Sequence, residues 1–218
     1  MRVFGSIRRY RLAHGSMDEL ARRVDEGFAE EIRTRPGFVS YEFIDCDGDE
    51  VITISMFSEA HQAEASRELA QRWTEENLTD FEFHRIEALH GEVMVSRAAG
   101  GMLEPAHSGA PGKFASLRRY MLRSGEVAGL MHTVDQLFAD QITEMDGFEA
   151  YRALDCGRGE ILSISMFRDQ SACEESDERA LQFVAAHLAG FDLERTEVIG
   201  GEVRVSRALS GLLEPAHA

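Results

Sequence analysis

The sequence predicts an α+β chain: two consecutive ferredoxin-like β-α-β-β-α-β domains with their sheets packed face to face. Three observations predict it. The chain matches itself at a fixed offset, each copy carries its strand and helix signals in the same order, and one strand of each copy is apolar on both faces. A sheet already covered by helices on one side then needs apolar cover on the other.

The offset is read from Phe4 falling on Phe114, a shift of 110 positions. FGSIRRYRL (4–12) lies on FASLRRYML (114–122), PGFVSYEFIDC (36–46) on DGFEAYRALDC (146–156), ITISMF (52–57) on LSISMF (162–167), and GEVMVSRA (91–98) on GEVRVSRA (201–208). The chain of 218 residues therefore reads as a tandem duplication, with domains at 1–107 and 114–218. The Gly-, Ala- and Pro-rich stretch 99–113 reads as the linker.

Within the first copy, FGSIRRYRL is a strand that Gly15 and Ser16 end. Ser16 with Glu19 forms a capping box, and Leu20, Val24, Phe28 and Ile32 repeat every fourth residue, which predicts an amphipathic helix stopped by Pro36 and Gly37. Residues 38–45 and 50–57 are rich in β-formers around an Asp-Gly-Asp turn and read as a hairpin. A second helix opens at Ser58 or Glu59 and runs to Asn77, with Ala63, Ser66, Ala70 and Trp73 along one stripe; residues 88–97 form the last strand. On the third strand, Ile52, Ile54 and Met56 alternate with Val51, Thr53, Ser55 and Phe57, so neither face is polar. The cheapest cover is the matching face of the second copy, with Leu162, Ile164 and Met166.

A formal charge of −16 argues against a nucleic-acid partner and against anionic membranes, because both draw their affinity from Lys and Arg. The first fifteen residues have no apolar run of signal-peptide length and nothing approaches a membrane span, so a cytoplasmic location is expected. Cys46, Cys156 and Cys173, an odd number without CxxC spacing, read as small buried or half-buried side chains in a reducing compartment. No GxGxxG or P-loop is present, and no cofactor is expected.

An RRY strand ending in Gly, an amphipathic helix, PGF-x-x-Y, a hairpin into S-I-S-M-F, an E-x-S helix and a terminal GEV-x-V strand form a series that resembles the antibiotic biosynthesis monooxygenase family. That family belongs to the dimeric α/β-barrel superfamily, so the resemblance implies a single-chain version of the dimer, a pseudo-dimer with further homo-oligomerisation left open. It also implies cofactor-free oxygenation of a small aromatic or polyketide-like compound, or a non-catalytic binding or structural protein of the same fold. Where polyketide-oxidising members carry a substrate-contacting Asn and Trp, this chain has Thr53 and Phe57 in one copy, Ser163 and Phe167 in the other. The haem-degrading branch needs an Asn, a Trp and a His; the first two places hold Arg9 and Ser66 or Ser176, so haem is not expected.

The remaining candidates follow from the repeats. Only one arginine of Arg8-Arg9, or of Arg118-Arg119, can face a given cavity, since strand neighbours point oppositely. Aligned on Gly15, the choice falls on Arg9 and Arg119, which would stabilise an anionic phenolate or enolate; the alternative is a carboxylate-paired arginine. Tyr41 and Tyr151 would donate to a substrate oxygen or simply pack, while Trp73 and Phe183 would line a cavity for a flat ligand or fill the core. LEPAH, at 103–107 and 213–217, contains Glu-x-x-His twice, yet no apolar helix follows to carry these residues inward, and no metal is expected. The reading preferred for these tails is that each lies across the other copy, anchored by Leu103 or Leu213.

Overall fold

Gly15 turns the chain out of the first strand with φ of +119°, and a Cβ there would lie 2.4 Å from the Phe81 ring. The strand before it is β1 (Phe4–His14), in a computed structural model that describes residues 2–110 and 112–218. Met1 and Pro111, the latter in the expected linker, lie outside the described residues.

Ser16 caps the helix as the capping box predicts, its Oγ accepting from Glu19 N–H at 3.4 Å. The helix is α1 (Met17–Arg23), a π-helical turn (Val24–Phe28) and α2 (Ala29–Arg33). The interruption has a cause in the spacing. Residues four apart on an α-helix drift by about 40° per step, so Leu20, Val24, Phe28 and Ile32 would spiral off one face. The wider turn absorbs the drift and keeps all four at 6 % exposure or less.

The hairpin is β2 (Phe38–Cys46) and β3 (Glu50–Phe57); α3 (Ala60–Asn77) buries Ala63, Ser66, Leu69 and Trp73. The last strand, β4 (Glu82–Ala98), begins earlier than expected. Its first half is polar and largely exposed, so it carries no hydrophobic alternation to announce a strand. The second copy gives β5 (Lys113–Ser124), α4 (Val127–Leu137), α5 (Ala139–Thr143), β6 (Phe148–Gly157), β7 (Glu160–Phe167), α6 (Gln170–His187) and β8 (Asp192–Ala208). The class is α+β. Among the described residues no helix is long and apolar enough to cross a membrane.

The two compact units differ from the two sequence repeats. Unit 1 comprises Met1–His90, Leu103–Gly112 and Gly201–Leu212; unit 2 comprises Gly91–Met102, Lys113–Gly200 and Leu213–Ala218. In unit 1, β3 pairs antiparallel with both β1 and β2, and β2 pairs in turn with residues 201–208 of β8. In unit 2, β7 pairs with β5 and β6, and β6 with residues 92–98 of β4. The long final strands are what mix the repeats: β4 has residues 82–90 in unit 1 and 91–98 in unit 2, and β8 has 192–200 in unit 2 and 201–208 in unit 1. Unit 1 has a core of Leu20, Val24, Phe28, Tyr41, Phe43 and Trp73 under its helices, and unit 2 one of Leu130, Val134, Phe138, Tyr151 and Phe183.

The LEPAH tails close each unit by polar contacts. In unit 1, Ala106 N–H donates to Ser206 Oγ at 2.8 Å, and Ser206 N–H donates back to Ala106 O at 3.0 Å. Asp25 then collects Arg207 Nη2 at 2.7 Å, Ser108 N–H at 3.0 Å and His107 Nδ1 at 3.1 Å. Unit 2 repeats the clamp: Asp135 receives Arg97 Nη2 at 2.9 Å, His217 Nδ1 at 3.2 Å and Ala218 N–H at 3.2 Å, while Ala216 N–H donates to Ser96 Oγ at 3.1 Å. The expected anchors Leu103 and Leu213 are only half-buried, and the buried apolar neighbours are Met102 and Leu212, one position earlier. Glu104 and Glu214 are exposed, and among the described residues no three His, Cys, Asp or Glu side chains converge as metal ligands.

Burial alone would raise the Asp25 carboxyl, but hydrogen bonds from Arg207, Ser108 and His107 bring it below the ordinary carboxylate range. A depressed folded value means this stabilisation is complete at neutral pH and is lost as pH falls from about 4 through the lower folded value. Asp25→Asn should therefore lower stability at pH 7 by about 2–3 kcal/mol, the worth of hydrogen bonds to a charged group, and flatten the acid limb of the stability curve. Chemical denaturation of wild type and variant at pH 7 and pH 3 checks both.

Candidate functional site

Strand register decides which arginine faces the helices. Arg8 lies opposite Thr53 on β3, which lies opposite Phe43 on β2, so these three share one sheet face. Arg9 lies opposite Ile52 and shares the other face. The expected orientation is therefore corrected by one residue. Arg9 Nε donates to Glu50 Oε2 at 2.6 Å, and Arg119 pairs with Glu160 in the same way; neither is in the lining of the two cavities described below. Alignment on Gly15 misses this because β1 is apolar at Ile7 on one face and at Leu12 on the other, leaving no alternation to set the parity.

Arg8, 1 % exposed, runs between sheet and helix. Its Nη2 donates to Ser55 Oγ at 2.8 Å, and Nη1 to the Ser66 carbonyl of α3 at 3.3 Å. Ser66, small enough to admit the guanidinium, donates its own hydroxyl to Ala63 O at 2.7 Å. Among the described residues Arg8 has hydroxyl and carbonyl acceptors but no carboxylate, and its Nε–H is buried without a partner. Burial holds its pKa below the ordinary arginine value, opposed by Tyr10 and Tyr41 and reinforced by Arg85 and Arg67. Arg118, the counterpart in unit 2, is bonded more fully: Nε to Ser163 Oγ at 3.2 Å, Nη1 to the Ser176 carbonyl at 3.0 Å, and Nη1 to Asp177 Oδ1 at 3.1 Å.

Thr53, the strand partner of Arg8, lines a cavity of about 60 Å³ together with Tyr10, Tyr41, Phe28, Trp73 and Phe83 among others; Arg8 itself is not in the lining. Phe28 stands edge-on to Tyr41, with centroids 5.2 Å apart, and 5.5 Å from Trp73. Gly27, in the π-helical turn, makes room for the indole: a Cβ there would lie 2.7 Å from Trp73 Cζ2. Burial pushes the Tyr41 hydroxyl well above the ordinary phenol value, so it is a hydrogen-bond donor at neutral pH. Tyr10 and Phe83 are half-buried and meet edge-on at 5.8 Å, forming the more open side of the cavity. Unit 2 has a smaller cavity of about 40 Å³, lined by Tyr120, Tyr151, Ser163 and Phe183 among others. There Phe138 packs on Phe183 at 4.9 Å, and Ser163 is occupied by Arg118.

Six of the ten expected site residues thus fall together by unit: Tyr41, Thr53 and Trp73 in one cavity, Tyr151, Ser163 and Phe183 in the other. Phe57 and Phe167 do not line them; they are buried against Phe38 and Phe148, with centroids 6.0 Å apart in each pair. The residues missed are Arg8 and Arg118, and Tyr10 and Tyr120, which the repeating RRY had already marked. Cys46 and Cys173 are buried thiols pushed up to about 12 chiefly by desolvation, too high to act as nucleophiles. Neither cavity lining contains a histidine, cysteine or carboxylate to hold a metal, and about 60 Å³ does not admit a haem.

No family model matches the chain, and no curated protein sequence does. Solved structures do. A "putative monooxygenase" of Fusobacterium nucleatum superposes with a TM-score of 0.65 over 99% of this chain and 94% of its own, at 7% identity. One of the same description from Lactobacillus acidophilus gives 0.62 over 99% and 98%, at 10% identity. An anthrone oxidase-like protein gives 0.53 over 95% and 94%, at 11% identity. At such identities the likeness is one of fold.

Proposed function

We propose that this chain is a cofactor-independent monooxygenase-type protein and that its working site is the unit 1 cavity. The substrate class is a small aromatic compound bearing an acidic phenol or enol. The observation that carries this is the lining itself: rings of Phe28, Tyr41, Trp73 and Phe83 around the hydroxyls of Tyr10, Tyr41, Thr53 and Thr74, with Arg8 directly across from Thr53 on the neighbouring strand. Aromatic walls hold a flat ligand, the hydroxyls orient its oxygen, and a desolvated guanidinium favours that oxygen as an anion. The names of the monooxygenase and anthrone oxidase-like neighbours support the reaction type.

The reaction fitting these groups converts a ring methylene and O₂ to a carbonyl and water: one oxygen atom stays on carbon, and the other leaves with the two methylene hydrogens. The chain's part is to hold the enolate form, exclude water and keep the developing charge near Arg8. As it stands the cavity holds only a few atoms, since a void of about 150 Å³ is needed for benzene. Entry therefore requires Tyr10 and Phe83 to swing outward. The lining contains no carboxylate or histidine to act as base, which favours a second reading, binding without turnover.

Trp73 is the sole tryptophan, so its fluorescence reports on unit 1 alone. Titration with 4-nitrophenol should quench it saturably and shift the ligand's absorption toward the phenolate. Gly27→Ala, which pushes on the indole, should weaken that binding about tenfold, by analogy with about 1–2 kcal/mol for an overpacked site. Unsaturable quenching, identical in the variant, would sink the cavity reading. Oxygen uptake with anthrone, measured without added metal, then separates the two readings: stoichiometric O₂ loss abolished in Thr53→Val supports catalysis, and quenching without uptake supports binding alone.

A further inference from the structure

The two repeats differ most sharply in what faces the buried arginine. In unit 2 the Asp177 carboxylate accepts from Ser116 Oγ at 2.5 Å and from Arg118 Nη1 at 3.1 Å. Each of these residues has a counterpart 110 positions earlier: Ser6, Arg8 and Arg67. The hydroxyl and the guanidinium are kept, but the carboxylate has become a second cation.

The donors in unit 1 are correspondingly unsatisfied. Ser6 is 0 % exposed and Arg8 1 %, and among the described residues Ser6 Oγ lacks the acceptor that Ser116 has in Asp177; Arg8 Nε lacks a partner too, but its counterpart in Arg118 is held by Ser163 rather than by Asp177. Arg8 Nη1, which in Arg118 serves both the helix carbonyl and Asp177, serves only the carbonyl of Ser66. Arg67 turns away, half exposed, with Nη2 3.8 Å from Glu64 Oε1. A buried donor without an acceptor destabilises the fold, and an anion at this place would supply the acceptor.

We propose that unit 1 binds a small carboxylate-class anion between the Ser6 hydroxyl and the Arg8 guanidinium, at the place the Asp177 side chain fills in unit 2. Asp177 is then a built-in occupant, and the counterpart position in unit 1 is kept for a diffusible one. Arg67, near enough to act on Arg8 electrostatically, adds a second positive charge, and the field of Arg8 and Arg67 reaches His90, whose pKa is lowered by desolvation and then by these two arginines. The anion is either free or the acidic group of a cavity ligand. The site stands on Ser6, Arg8 and Arg67 and holds whether or not the cavity performs oxygenation.

Thermal unfolding of the full chain tests this at fixed ionic strength, with sodium formate replacing sodium gluconate, whose anion is too bulky to enter. Formate should raise the melting temperature by about 2–4 °C, the shift for roughly 1 kcal/mol of binding in a chain of this size. Benzoate is the second arm: stabilisation by benzoate alone, with Trp73 quenching, assigns the anion to a cavity ligand, and stabilisation by formate assigns it to a free anion. Arg67→Asp supplies unit 1 with the carboxylate of unit 2 and should raise the baseline melting temperature and abolish either response. Asp177→Asn should lower the baseline and enlarge the formate response. Wild type indifferent to both anions, or a response undiminished in Arg67→Asp, would overturn the proposal.

Discussion

A buried guanidinium fastens the second helix of each repeat to its sheet, and much of the surrounding sequence follows from accommodating it. Arg8 crosses from β1 to the Ser66 carbonyl on α3 and to the Ser55 hydroxyl on β3. Arg118 does the same with Ser176 and Ser165. A charge held that far from water is tolerable only if its protons find acceptors, so the residues around it are serines, short enough to let helix and strand approach and polar enough to receive N–H groups. The spacing this sets between helix and sheet leaves a cavity further along the same face, walled by the aromatic residues of β1, β2 and the helices.

Much of this fold is legible in the sequence because its signals are local. The capping serine at 16, the four-residue hydrophobic period, the Asp-Gly-Asp turn and the repeat itself each point to one element without reference to any other. The parity of β1 is not local. Ile7 and Leu12 lie on opposite faces and both are buried, so an apolar pattern cannot say whether Arg8 or Arg9 looks toward the helices; only the pairing with Thr53 or Ile52 on β3 does. Nor is the first half of β4 local, since a polar, exposed strand is held by its neighbour's backbone rather than by its own side chains. The aromatic part of the site was readable for the opposite reason: Tyr41 and Trp73 are large, recur as Tyr151 and Phe183, and have few other places to go.

The tails show how a repeated motif misleads when it is read as a single segment. Glu-x-x-His suggests a ligand pair, but the histidine belongs with Asp25 or Asp135 and with an arginine of the Ser-Arg-Ala run, while the glutamate is exposed. In each unit the Asp comes from one repeat and the Ser-Arg pair from the other. Both repeats therefore carry both halves of the clamp, and losing either half leaves a buried charge unpaired.

The same logic explains where the repeats were free to diverge. Asp135 and Asp25 have identical duties and are retained, as are Arg97 and Arg207. Asp177 and Arg67 are not equivalent in this way, because the arginine they face already has acceptors in Ser66 or Ser176 and needs only one more. That last acceptor can be covalent or diffusible. Where it is covalent, in unit 2, Ser116 and Arg118 share Asp177, Ser163 is engaged by Arg118, and the matching cavity is the smaller of the pair. Where it is missing, unit 1 keeps the larger of these two matching cavities, an indole accommodated by Gly27, and a buried Ser6 hydroxyl without a partner among the described residues. Each of these differences sets the unit 1 site apart from its counterpart in unit 2. They fit a division in which one repeat holds the fold and the other pays in stability for a site.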